Sequence, residues 1–216
     1  MLKIYGMPLS PPSNKVVYTA NYLNIPYEFH SMNIAAGETH KPEFLKINPV
    51  GKVPAIDDGG FTLFESNAII RYLADKEGSA LYPKELQTRA VVEQWLDFAA
   101  QHVALATSKI MTNTHLYKLM NMPLDERSLQ DGRKFIHQYL PIVDKQLNAQ
   151  AFIASENTTL ADIALLSALD TCEVIDVDLS PYHYLSEWRK KLISQPFYQK
   201  CHTSYADSFN KLLGNR

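Results

Sequence analysis

The sequence predicts an α/β domain followed by an all-α domain. Residues 1 to 77 alternate short strand and helix signals. Beyond Leu81-Tyr82-Pro83 the strand signals vanish and long helical periodicities take over. The boundaries read as 1–78 for the α/β domain, 79–86 for a linker and 87–216 for the helical domain. A chain of 216 residues has room for two small domains.

Leu2 to Tyr5 is a short strand. Asn14 to Leu23 is a helix with Val16, Val17, Ala20 and Leu23 on one side, and Ser13 or Asn14 is its natural cap. Tyr27 to Met32 is a second strand entered through Pro26, and Glu43 to Lys46 is a helical turn. Ala55 to Asp57 and Thr62 to Phe64 make a hairpin around Asp58-Gly59-Gly60. Asn67 to Lys76 is a helix stopped by Gly78. A helix crossing between the first two strands makes them parallel, and the hairpin adds antiparallel strands. This order resembles a thioredoxin-like domain.

The second half reads as helices. Glu85 to about Thr112 carries Val92, Trp95, Leu96, Ala99, Val103, Ala106 and Ile110 at three- and four-residue steps. Leu124 to Leu147, Leu160 to Asp176 and Tyr182 to Ile193 follow, and Pro196 opens a last short helix. Thr159-Leu160-Ala161-Asp162 is a variant capping box, with a hydroxyl at the N-cap and a carboxylate three residues on; it reads as structural and is worth about 1 kcal/mol. The Ser208-Phe209-Asn210-Lys211-Leu212-Leu213 stretch is amphipathic and short, fit to cover a pocket or to fray.

Composition excludes several classes. A net charge of -2 offers no electrostatic case for nucleic acid or an anionic membrane. No apolar run reaches the roughly 20 residues that span a bilayer. Cys172 and Cys201 are too few for a disulfide framework and read as reduced, structural thiols in a cytoplasmic protein. Trp95 and Trp188 read as helix packing.

The most informative stretch is Val53-Pro54 followed by Glu65-Ser66. A proline between two apolar segments removes a ladder donor, and one reason to accept it is a cis bond that turns the backbone outward to a ligand. Glu65-Ser66 then offers a carboxylate, a hydroxyl and free N–H groups at a helix start, a small site for a zwitterionic ligand. The stretch from Asn48 to Leu73 resembles the glutathione-binding half of the glutathione S-transferases, and the helical half resembles their second domain. The resemblance implies that Val53 pairs its backbone with the cysteinyl part of glutathione while Glu65 and Ser66 hold its γ-glutamyl end.

It also implies a reactive hydroxyl in Gly6-Met7-Pro8-Leu9-Ser10-Pro11-Pro12-Ser13, which composition alone reads as a polar loop before a helix. In the serine-type classes (theta, delta and phi) a serine lies six residues before an apolar helix position, as Ser10 lies before Val16. Ser13 and the strand residue Tyr5 are alternates. No cysteine lies in residues 1 to 78, against a cysteine-type transferase or a Cys-x-x-Cys redox site. A free thiol has a pKa of about 8.5 and the thiolate is the nucleophile. A hydroxyl donor aimed at sulfur, assisted by the positive end of a helix, lowers that value.

Further roles follow from the same resemblance. His40, Lys41 and Lys52 are cations for the glycine carboxylate of glutathione. Asp97 and Gln101 stand where an acidic residue reaches the other subunit of a dimer. Met7, Leu9, Pro11, His102, Ala106 and Ile110 are the expected second-substrate pocket, with Lys109 and Asn113 on the same helical spacing. Phe61, Leu63 and Arg71 are candidate homodimer contacts. The implied activity is addition of glutathione, as co-substrate and without a metal, to a small soft electrophile. Alternatives on the same scaffold are a glutathione-dependent dehalogenase, isomerase or peroxidase, and a non-catalytic regulator or ligand carrier.

Overall fold

Hydrogen bonding places β1 (Leu2–Gly6) inside a four-stranded sheet of order β2-β1-β3-β4. It pairs parallel with β2 (Tyr27–Ser31), Gly6 opposite Ser31, and antiparallel with β3 (Ala55–Asp58), Tyr5 opposite Ala55. β3 pairs antiparallel with β4 (Phe61–Phe64), Ala55 opposite Phe64. The structure is a computed structural model that describes residues 1–214, with side chains to Phe209. The parallel pair and the hairpin are those the sequence predicts, because a crossover helix permits only the first and a two-glycine turn favours the second.

α1 (Pro11–Tyr22) is that crossover and packs beside α3 (Ser66–Lys76). Val16, Ala20, Ile69, Ile70 and Leu73 join Ile4 and Ile56 in a core closed to solvent. A 3-10 turn (Glu38–His40) and α2 (Pro42–Leu45) connect β2 to β3. α1 begins at Pro11 rather than Asn14, with Ser10 as its N-cap. Prolines suit the first helical turn because their missing N–H would be unbonded there in any case, so the Pro-Pro pair starts the helix.

The chain divides into two compact units, and the division departs from the predicted boundary near the C-terminus. Residues Ser194–His202 join Met1–Pro83. The cause is aromatic packing on α1. Tyr18 meets Phe197 and Tyr198 of α10 (Pro196–Gln199) at centroid distances of 6.2 and 5.0 Å, and its hydroxyl lies 3.0 Å from His202 Nδ1.

The second unit is helical. α4 (Leu86–Phe98), a π-helical turn (Ala99–Ala104), α5 (Leu105–Met111), a second π turn (Thr112–Leu116) and α6 (Tyr117–Met120) follow one another without a break. α7 (Glu126–Ala149) begins at the Asp125 cap and packs on α5. Gly132 permits the approach: a Cβ there would stand 2.9 Å from the Ala106 carbonyl and 3.0 Å from Ile110 Cγ1. α8 (Leu160–Leu169) is buried along its whole length and passes into a 3-10 turn (Asp170–Glu173), so it ends earlier than its apolar run predicts. α9 (His183–Ile193) and α11 (Tyr205–Gly214) complete the unit; from Asn210 on, the side chains of the amphipathic C-terminal stretch lie outside the described residues. Among the described residues no helix is long and apolar enough to cross a membrane.

Asp162 fastens this unit. Its Oδ2 accepts from Thr159 N (2.8 Å) and Thr159 Oγ1 (2.9 Å), and its Oδ1 from Ile153 N (2.9 Å) and Trp188 Nε1 (3.0 Å). Burial pushes the carboxyl up while these four donors pull against it. The capping box is therefore also a tie to α9 through Trp188, a partner beyond local spacing. Trp95 and Trp188 are both buried, and burial pushes the Cys172 thiol up to about 12, which disfavours its thiolate.

Two outcomes are expected. Asp162→Ala strands buried N–H donors and should cost about 3 kcal/mol in urea unfolding. Glu85 caps α4 by accepting from Gln87 N, Thr88 N and Thr88 Oγ1, which holds its carboxyl down at about 2 instead of 4.5. A depressed acid stabilises the fold above its unfolded value and loses that contribution as pH falls toward its folded one. The urea midpoint of wild type should therefore drop relative to Glu85→Gln between pH 5 and pH 2.

Candidate functional site

The sheet register gathers the loops of interest at one edge. β1 and β2 run parallel and end together at Gly6 and Ser31, and β4 ends at Phe64, level with Tyr5 and with the start of β3 at Ala55. The Met7–Ser10 loop, Val53-Pro54 and Glu65-Ser66 therefore all leave the sheet at that edge, beyond the carboxyl ends of β1 and β4, where open α/β sheets receive ligands.

In the first loop two serines divide the work. Ser13 is closed to solvent, and its Oγ accepts from Met7 N at 3.2 Å, pinning the loop onto α1. Ser10 is half-buried, and its Oγ accepts from Ser13 N at 3.4 Å. A hydroxyl that accepts in this way keeps its own proton to donate. Tyr5 serves packing: its ring stacks on His30 at 4.8 Å and meets Phe44 edge-on at 6.0 Å. A Cβ on Gly6 would point at Ser13, so by strand alternation Tyr5 faces away from α1. It lines instead a cavity of about 240 Å³ with Met32, Lys41 and Phe44.

The second loop is organised by Asn48, a residue the sequence reading passes over. Its buried amide donates to the Lys52 carbonyl (2.6 Å) and accepts from Val50 N (3.0 Å). Gly51 has φ +68, and a Cβ there would lie 3.2 Å from His40 Nε2, so it admits the His40 ring against the loop. Thr39 Oγ1 lies 3.1 Å from His40 Nδ1. His40, Lys41 and Lys52 are exposed, giving this loop three open basic side chains. The Val53-Pro54 bond is cis, and Val53 stands ahead of β3, outside its ladder. The Asn-Pro-x-Gly pattern at 48–51 signals a turn, and only the fold shows which groups Asn48 bonds.

The third element is the start of α3. Glu65, its N-cap, holds φ +69 and ψ 108, a strained backbone for a non-glycine residue that costs about 1–3 kcal/mol. Among the described residues the Glu65 side chain makes no cap hydrogen bond, which leaves first-turn N–H groups to water or a ligand. Ser66 is half-buried at the first helical position. Beneath lies Lys15, only 7% exposed, whose Nζ donates to Asn67 Oδ1 at 2.5 Å. Burial first, then the Arg71 charge, lowers its pKa to about 8, opposed by the Glu65 carboxylate. A lysine between the helix residues Asn14 and Val16 gives no sequence signal of burial, because only α3 encloses it.

The expected second-substrate residues separate by burial. Met7, Leu9 and Pro11 are half-buried near Ser10, and His102 is exposed on the first π turn, its ring 4.8 Å from Tyr139. Ala106 and Ile110 are closed to solvent, and the Ala106 carbonyl and Ile110 Cγ1 stand against Gly132 of α7, so both pack as core residues in this structure. Their helical spacing is equally that of a packing stripe. Asn113 is also structural, donating to the Lys109 carbonyl (2.9 Å) and accepting from Asp125 N (2.9 Å), while Lys109 pairs with Asp131 at 3.4 Å. Asp97 and Gln101 are exposed. Asn48→Ala, which unties the Val50–Lys52 turn, is expected to lower stability by about 1–3 kcal/mol in urea unfolding.

Comparison with known proteins agrees with this geometry. Residues 1–75 match the glutathione S-transferase N-terminal domain and residues 106–196 match the glutathione S-transferase C-terminal domain. The chain is 33% identical over 169 residues to glutathione S-transferase F10 of Arabidopsis thaliana, covering 77% of this chain and 78% of that protein. A delta-class glutathione transferase of Nilaparvata lugens superposes with a TM-score of 0.85 at 32% identity, over 100% of this chain and 99% of the other. Glutathione transferase F2 of Populus trichocarpa gives a TM-score of 0.86 at 26% identity, covering 93% of this chain and 97% of that one. With both domains matched and a curated relative above 30% identity along most of its length, this chain belongs to the glutathione S-transferase family of enzymes.

Proposed function

We propose that the chain binds glutathione along one sheet edge, stabilises its thiolate with the Ser10 hydroxyl and adds it to a soft, hydrophobic electrophile. The observation that carries this reading is the division of labour between the two serines. Both hydroxyls accept a backbone N–H and keep a proton, but Ser13 is closed to solvent whereas Ser10 is half-buried and open to a ligand. Ser10 also caps α1, so the positive end of that helix acts on the same sulfur. The proton leaves the glutathione thiol for solvent, Ser10 donates a hydrogen bond to the resulting anion, and the sulfur lone pair forms the new bond as the electrophile's π electrons shift onto its acceptor group or, with an aryl halide, as the halide ion then leaves. Ser10 is neither nucleophile nor base.

Glutathione carries two carboxylates and an amine, and the edge offers a partner for each. The γ-glutamyl carboxylate meets Ser66 and the open N–H groups of α3, and its amine meets Glu65. Val53 pairs with the cysteinyl backbone. His40, Lys41 and Lys52 supply charge for the glycine carboxylate, and their sum matters more than any one of them. The electrophile lies over the sulfur beside Met7, Leu9 and Pro11.

A homodimer in the cytoplasm belongs to the same reading. Phe61, 49% exposed on β4 with its ring 5.1 Å from Tyr72, supports a contact surface there, together with Leu63 and Arg71.

Ultraviolet titration of bound glutathione tests the mechanism. Wild type is expected to hold the thiol well below its free value of about 8.5. Ser10→Ala should return it toward that value and cut kcat by about 10²-fold with an aryl halide, leaving glutathione affinity little changed. An unaltered bound thiol in Ser10→Ala would remove the role from this residue.

A further inference from the structure

A lysine ammonium at the N-terminus of a helix meets the positive end of the helix dipole, which disfavours it. Lys15 occupies such a place, buried against the first turn of α3, with the Arg71 charge acting on it as well. Two groups compensate in the free protein. Asn67 Oδ1 accepts the ammonium at 2.5 Å, and the Glu65 carboxylate acts on it from the cap. Arg71 and Glu65, both from α3 and its cap, are the charged groups that act on Lys15. Among the described residues the other elements packed on α1 add no charge that acts on Lys15. β1 turns Leu2, Ile4 and Gly6 inward, and the titratable side chain of α10, Tyr198, packs on Tyr18.

Lys15 and the α3 N-terminus thus set positive charge together, with the Glu65 carboxylate acting on the lysine. The group expected on top of them is the α-carboxylate of the γ-glutamyl end.

We propose that Lys15 is a positioning residue for glutathione: its buried ammonium fixes Asn67 in the first turn of α3 and supplies the charge that the γ-glutamyl carboxylate completes, so that affinity for glutathione follows the protonation of this lysine. The inference rests on the reading of the sheet edge as a glutathione site.

The direction is fixed by linkage. A carboxylate brought near the ammonium raises the lysine pKa in the complex, so the complex binds the proton more tightly than the free enzyme. Affinity is full below the free-enzyme value of about 8 and falls as pH rises through it. Lys15 acts through Asn67 and the field at the helix start, not on sulfur. The effect therefore falls on glutathione Kd and KM and leaves kcat at saturating glutathione unmoved.

The experiment is calorimetric binding of S-methylglutathione, which has no thiol to titrate, from pH 6.5 to pH 9. Wild type is compared with Lys15→Arg and Lys15→Met. Arginine keeps its charge throughout this range, so the ratio of wild-type to Lys15→Arg Kd cancels the titration of the ligand amine. That ratio is expected to rise about fivefold or more between pH 7 and pH 9. Lys15→Met is expected to bind about tenfold more weakly than wild type at pH 6.5, with kcat retained at saturating glutathione.

Parallel wild-type and Lys15→Arg profiles, or undiminished binding by Lys15→Met at pH 6.5, would overturn the proposal. If Lys15→Arg does not fold, Asn67→Leu takes its place. This variant removes the acceptor and should weaken binding at pH 6.5, and unchanged binding counts against the role. No binding by wild type at any pH would overturn the glutathione site itself, a result distinct from either failure of Lys15.

Discussion

The register of a four-stranded sheet governs this protein's chemistry. Because Gly6 lies opposite Ser31, Tyr5 opposite Ala55 and Ala55 opposite Phe64, three segments distant in sequence leave the sheet at a common edge. A one-residue slip of β3 would turn Ile56 out of the core and carry Val53-Pro54 out of line with the other two segments. The hydrophobic alternation that buries Ile4 and Ile56 thereby also fixes the geometry of the candidate site. Stability and function draw on the same pattern.

Two helices begin at that edge, and they are finished differently. α1 is capped by Ser10, which satisfies one N–H group and retains a proton. Among the described residues the N-cap side chain of α3, Glu65, makes no cap bond, and its backbone is held at positive φ. The first-turn N–H groups are thereby left to water or a ligand. The buried Lys15 beneath them adds charge where the helix is already positive, an arrangement that is stable only with compensation. Asn67 and Glu65 provide that compensation within the chain.

The helical half is organised by a different economy of contacts. The turn from Thr159 to Asp162 is a local capping box, yet its carboxylate also bonds Ile153 and Trp188, so one side chain joins a loop, a helix start and a neighbouring helix. Gly132 lets α7 close on α5 and seals Ala106 and Ile110 inside. Gln101 and His102, two exposed side chains of this helical run, fall on the π turn at Ala99–Ala104. Such turns are frequent at functional positions because they redirect side chains within a continuous helix.

Local pattern alone determined the succession of strands and helices, the parallel and antiparallel pairings, the Val53-Pro54 and Glu65-Ser66 features and the Thr159–Asp162 cap. Each depends on residues within a few positions of one another, where propensity and hydrogen-bond reach act directly. Tertiary structure decided the rest. It sealed Ser13 while leaving Ser10 open, buried Lys15 under α3, turned Ala106 and Ile110 toward α7, and drew residues 194–202 onto α1 through Tyr18. For Lys15, Tyr18, Ala106 and Ile110 the deciding partner lies far away in sequence. Burial is a property of what encloses a side chain, and a helical stripe of apolar residues looks the same whether it lines a pocket or packs a core.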